Sequence, residues 1–158
     1  MTLDIEKTLD NTGWQILRAL QENARLSFAE LGRMVGLSPP AVAERVRRME
    51  EAGIITGYHA AVNLEKLGLQ LTAYIRLNAA PEKYPRIIAL AGELPEVLEC
   101  HHVTGGEAFI MKVVVSSIPH LEALISRFSP YGQTTTSLVL SSRVVKHVVA
   151  QGPLDGSQ

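Results

Sequence analysis

The sequence predicts an α+β chain in two parts, a small helical unit with a trailing β hairpin and then a β-α-β-β-α-β unit. Three observations predict it. Helix-start signals recur at short spacing through the first third, each followed by apolar residues at helical intervals. A glycine-containing turn separates the last two of these segments. From residue 69 onward, β-like and helical stretches alternate. At 158 residues the chain has room for one ordinary domain or two small ones.

Asp10 is a good N-cap, and Leu9 before it is placed to staple against Trp14. Ile16, Leu17 and Leu20 then give an apolar stripe. Ser27-Phe-Ala-Glu30 reads as a capping box opening a second helix, with Leu31 and Val35 inward. Gly36-Leu37 is the turn. Ser38 caps a third helix whose first turn holds Pro39 and Pro40, where a missing N–H costs nothing. Val42, Val46 and Met49 follow at i, i+4 and i+7, and Gly53 ends the helix as a C′ glycine does. Ile54-Ile55 and Tyr58–Val62 around Thr56-Gly57 predict a hairpin, so that residues 1–62 form a winged helix-turn-helix. Residues 63–68 read as a linker.

Residues 69–143 supply the second domain. Leu69–Leu77, Val97–Thr104, Ala108–Val115 and Thr134–Leu140 are β-like, while Tyr84–Leu90 and Ser117–Phe128 are helical. This order is the ferredoxin-like βαββαβ arrangement, a four-stranded antiparallel sheet with both helices on one face. The apolar run Phe109–Val115 leaves the other face in need of a partner. Residues 144–158 form a part-apolar tail whose end is expected to be disordered or docked on a neighbour.

Composition excludes some classes. With 46% hydrophobic and 20% charged residues the chain suits a soluble globular protein. No apolar run reaches the roughly 20 residues of a membrane span. The start MTLDIEKTLD does not read as a secretory signal. Cys100 is the single cysteine, so no internal disulfide forms and a reducing cytoplasm is the expected compartment. The net charge is −1, and residues 1–63 hold seven Lys/Arg against eight Asp/Glu. Clustering matters more than the total for a polyanionic partner, and the tight basic cluster is Arg45, Arg47 and Arg48.

On the third helix, 100° per residue sets Pro40, Glu44 and Arg47 opposite Val42, Val46 and Met49. Arg48 and Ala41 lie on one flank, and Arg45 at the edge of the core. With Ser38, these are the candidate DNA-contacting residues. The helix N-terminus is expected to add backbone N–H groups for a phosphate. A short turn before such a helix is the helix-turn-helix, which places its last helix in the major groove of double-stranded DNA. Arg47 and Arg48 suit phosphate or guanine, and Arg45 is expected to grip phosphate.

The stretch LDNTGWQILRALQENARLSFAELGRMVGLSPPAVAERVRRMEEAGIITGYHAAVN resembles the N-terminal domain of the Lrp/AsnC (feast/famine) family. LPEVLECHHVTGGEAFIMKVVV and TTTSLVLSS resemble parts of its effector domain. The resemblance spans roughly residues 9–143. It implies a transcription regulator, a homodimer assembling to tetramers or octamers, and modulation by an amino acid or similar metabolite. It places an effector site between dimers, at the hairpin Thr104, Gly105, Gly106, Glu107 and Ala108 and at Thr134 and Thr136 on the last strand. The glycines leave backbone N–H groups open to a carboxylate, although Gly-Gly also serves as a plain tight turn.

Two positions depart from the family pattern. Gly13 stands where an acidic residue is usual, weakening the first helical turn by about 1 kcal/mol. Ala108 stands where the family hairpin, G-x-x-D and an aromatic, carries its effector-holding aspartate. Glu107 is one residue away, but neighbouring strand residues point to opposite faces.

Rival readings rest on Cys100, His101 and His102. Catalysis needs a base placed by a third group, and one cysteine with one histidine on a strand face falls short of a four-ligand zinc site. No catalytic residue, metal ligand or cofactor is assigned. A metabolite-binding protein that does not bind DNA is the third rival, opposed by the helix-turn-helix.

Overall fold

The computed structural model describes residues 8–151. The expectation for the end of the tail lies outside them. The chain divides into two compact units, one holding residues up to Ala61 and from Val144, the other Val62–Arg143.

The first unit contains α1 (Asn11–Glu22), α2 (Phe28–Val35) and α3 (Pro39–Glu51). The predicted caps are present. Asp10 accepts from the Gly13 N–H, Ser27 and Glu30 form the reciprocal capping box, and Ser38 accepts from the Ala41 N–H. Ile16, Ala19 and Leu20 of α1 close over Leu31 of α2 and over Val42, Val46 and Met49 of α3, with Leu9 packed against this core. Gly36 ends α2 at φ 70°, a left-handed conformation that glycine adopts without penalty. Gly13 is no defect here. A Cβ at this position would stand 2.3 Å from the Thr8 carbonyl oxygen, so the chain entering α1 occupies the space of a side chain.

The predicted wing is not formed. Residues 54–62 contain no strand. α3 ends in a Schellman turn, with Gly53 N–H donating to Glu50 O (3.0 Å) and Ile54 N–H to Met49 O (2.8 Å). Both Ile54 and Ile55 pack on the helical core, so the period-2 alternation a hairpin needs is broken at its first strand. The Tyr58 hydroxyl donates to Glu50 at 2.8 Å, pinning the segment to α3. Residues 144–151 have no regular structure and belong to this unit. The Gln21 amide brackets Val149, accepting its N–H at 2.7 Å and donating to its carbonyl at 3.3 Å.

The second unit runs β1 (Leu71–Ala79), α4 (Tyr84–Glu93), β2 (Val97–His102), β3 (Phe109–Val115), α5 (Ile118–Phe128) and β4 (Gly132–Leu138). The sheet is antiparallel in the order β2-β3-β1-β4. Ala73, Ile75 and Leu77 of β1 and Phe109, Met111, Val113 and Val115 of β3 alternate onto one face. There they bury Ile87 and Ala91 of α4 and Leu121, Leu124 and Phe128 of α5. This is the expected βαββαβ topology. The other face is mixed rather than apolar: between Tyr74 and Ile110 lie Arg76, bonded to Ser137, and Lys112, paired with Glu99 at 3.0 Å.

Candidate nucleic-acid interface and effector hairpin

Three requirements shape α3: an apolar stripe to hold it, a capped start and a polar outer face. Val42, Val46 and Met49 are buried, while Ser38, Pro40, Arg47 and Arg48 are exposed. Ala41 and Arg45 are half-buried along the flanks, and Glu44 is half-buried on the outward side. A shallow depression of about 230 Å³ lies here, lined by Thr8, Ala41, Glu44, Arg45 and Arg48.

Two expectations about phosphate change. The start of α3 offers no anion-binding amides: Pro39 and Pro40 lack N–H groups, the Ala41 N–H is held by Ser38 Oγ, and the Val42 N–H by Ser38 O. Arg45 does not point outward. Its two terminal nitrogens grip Asp10 at 2.9 and 3.0 Å, tying α3 to the cap of α1. That guanidinium, with the Gly13 N–H, holds the Asp10 carboxyl below its usual range. The outward cations are Arg47 and Arg48. Glu44 accepts from Arg47 Nε and Nη2 (3.0 and 2.8 Å) and from Arg48 Nε (2.9 Å), and Arg47 also bonds Glu51. These bonds, Arg47 foremost, keep the Glu44 carboxyl below the ordinary carboxylate range.

In the second unit, Val103 N–H donates to Ala108 O (3.0 Å), closing a loop over residues 104–107 rather than a two-residue turn. Thr104, Gly105 and Gly106 are exposed, and Glu107 is half-buried. Ala108 does not face an open site. It is buried in the core beside Phe109, and its N–H donates to Leu77 O at 2.9 Å. Thr134 lies opposite Leu77 and Thr136 opposite Ile75, so both half-buried threonines share the helix-covered face. The end of β1 thus joins the hairpin base, through the Leu77 carbonyl, to β4.

The histidine and cysteine side chains have ordinary roles. Cys100 lies opposite Met111 against the core, where burial pushes its thiol pKa up and away from nucleophilic use. His101 bonds Glu99 at 3.2 Å, and the His102 ring packs against Tyr84 and Phe109 at centroid distances of 5.0 and 5.2 Å. Sequence reasoning missed the Asp10–Arg45 tie, whose partners are 35 residues apart. A capping aspartate facing an edge arginine was the one available signal.

Comparison with known proteins agrees with this architecture. Residues 9–50 match the AsnC-type helix-turn-helix domain, and residues 72–149 the Lrp/AsnC ligand binding domain. The chain is 44% identical over 134 residues to the HTH-type transcriptional regulator YezC of Bacillus subtilis (strain 168), covering 85% of this chain and 95% of that one. The solved structure of B. subtilis LrpC superposes with a TM-score of 0.83 at 35% identity, covering 87% and 99% of the two chains. The L-Met complex of the transcriptional regulator NMB0573 from Neisseria meningitidis gives 0.82 at 31% identity, covering 91% and 96%. No helix among the described residues is long and apolar enough to cross a membrane. The chain therefore belongs to the Lrp/AsnC family, as a DNA-binding transcriptional regulator with a ligand-binding domain and not an enzyme.

Proposed function

We propose that residues 1–62 read double-stranded DNA in a sequence-specific way through α3, and that residues 69–143, joined by the 63–68 linker, bind a small effector and assemble copies of the chain. The observation that carries the reading is the outer face of α3, with Ser38, Pro40, Arg47 and Arg48 exposed over the buried Val42, Val46 and Met49. Arginines there suit guanine edges and phosphates. A homodimer presents two such helices to a palindromic site, and tetramers or octamers follow from further dimer contacts. A DNA partner and a lone cysteine fit the cytoplasm. Selection from random duplexes with the full chain is the test. Enrichment of a palindromic motif is the expected result; recovery of no motif overturns the reading.

The effector is an amino acid or a related metabolite. Support comes from the ligand-binding-domain match and from the Neisseria relative solved with L-Met. The exposed residues 104–106 bring backbone amides that suit a carboxylate, and a second copy completes the site. With a buried methyl at Ala108, either Glu107 serves an amino group in its place or the ligand makes a weaker cationic demand. Thermal-shift screening of L-methionine and the other amino acids, followed by calorimetry, tests this. Where Glu107 serves the amino group, Glu107→Gln is expected to lose about 1.5–3 kcal/mol of binding, the size of a hydrogen bond to a charged group. No shift with any amino acid contradicts the effector assignment.

A further inference from the structure

The recognition helix is electroneutral. Pro39–Glu51 holds Arg45, Arg47 and Arg48 against Glu44, Glu50 and Glu51. Each arginine meets a carboxylate, and Glu44 alone holds two of them. This is a costly arrangement for a helix that only needs to grip DNA. Phosphates repel a carboxylate on the approaching surface, and cations already paired gain less from phosphate and displace fewer counterions. The cost is offset where the duplex gives the carboxylate a donor. The major groove offers two such donors, adenine N6 and cytosine N4, and only cytosine is paired with a guanine that offers O6 and N7 to a neighbouring arginine. Glu44 and Arg47 lie together on the outward side of α3, linked by bonds of 2.8–3.0 Å. A carboxylate and a guanidinium are thus adjacent on the outward side, and a C:G pair offers each of them a partner in exchange for their mutual bonds.

We propose that Glu44 is the specificity-determining residue of α3, holding Arg47 and Arg48 in one fork and favouring duplexes that place a cytosine amino group before it. The inference rests on the reading of α3 as the DNA-contacting helix. Glu44 is a half-exposed surface residue, with 41% of its side chain accessible, and its replacement opens no cavity in the core. The fork also accounts for an acidic group at the centre of the basic cluster, which a purely electrostatic grip does not require.

The test uses the full chain, with selection from random duplexes by wild type and Glu44→Gln. Titrations then follow on the enriched and scrambled duplexes at several salt concentrations. Wild type is expected to enrich cytosine at one position per half-site. In Glu44→Gln that position moves toward adenine, the base a carboxamide reads in bidentate fashion. The ratio of enriched to scrambled affinity falls by about 10-fold. Scrambled DNA binds more tightly, and the slope of log K against log salt steepens by about one as a freed arginine takes a phosphate. An unchanged motif with an unchanged ratio overturns the proposal. So does an equal loss on both duplexes in a variant whose melting temperature matches wild type. Where Glu44→Gln fails to fold, Glu44→Ala reads the same position: lost preference supports the proposal, and retained cytosine overturns it. A wild type that enriches no motif overturns the reading of α3 itself, and is distinguished by arising before any variant is compared.

Discussion

Asp10 serves two purposes at once, and its environment makes that measurable. One carboxylate caps α1 through the Gly13 N–H at 2.7 Å and accepts both terminal nitrogens of Arg45. Because its pKa is lowered in the folded state, its contribution is complete above the ordinary 3.8 and is lost as pH falls through the lower folded value. Asp10→Asn keeps a capping side chain but gives up the ion pair, so it is expected to cost about 0.5–1 kcal/mol at pH 7, the range of a partly exposed pair. Denaturant titrations of both proteins at pH 7 and pH 3 check this: the gap narrows at the lower pH, and an unchanged gap contradicts the assignment. The example also shows what was legible residue by residue. The cap could be read because its partner is three residues away. The Arg45 tie could not, because it depends on how α3 crosses the start of α1. The burial of Ala108 is illegible in the sequence for a similar reason. A motif locates it next to the hairpin, but its burial follows from the Leu77 bond across the sheet.

At the level of elements, the joint between α2 and α3 is set by a close approach. A Cβ on Gly32 would lie 2.4 Å from the Leu37 carbonyl oxygen, and the Leu37 N–H in turn donates to Gly32 O at 2.9 Å. Alanine favours a helix by about 1 kcal/mol over glycine, yet here it pushes the turn away from α2. Gly32→Ala is expected to destabilise the helix-turn-helix by about 1–3 kcal/mol, the usual cost of overpacking. Thermal melting of the full chain gives the sign, and a stabilised variant contradicts the geometry. Helices and strands were legible because caps and periodicity are local, and the observed strands begin and end within two residues of the expected ones. The wing was not. Ile54 and Ile55 read as strand residues, but the adjoining helical core takes both, and a lone two-stranded hairpin is marginal in water. The Tyr58 phenol, exposed on its ring but bonded to Glu50, has its pKa pushed up to about 12 by partial desolvation and by that bond, and it marks where the segment is held instead.

On the scale of the whole molecule, the sheet predicts assembly, but through a more polar face than the run Phe109–Val115 suggests. Strand alternation sends Phe109, Met111, Val113 and Val115 to the helices. Tyr74, Arg76, Ile110 and Lys112 remain on the other side. Full-length protein is expected to sediment as a dimer or larger at micromolar concentration. Ile110→Glu is expected to shift it to monomer with its circular dichroism unchanged, and a monomeric wild type contradicts assembly by this face. In a dimer two copies of α3 can act on one site, and base reading by α3 is open to direct measurement. The direct measurement is the affinity of wild type and Arg47→Ala for the enriched operator and its single-base variants at fixed salt. Arg47→Ala is expected to lose about 1–3 kcal/mol on the operator, with discrimination relaxed at one base position. An equal loss on every duplex, or no loss on any, contradicts it.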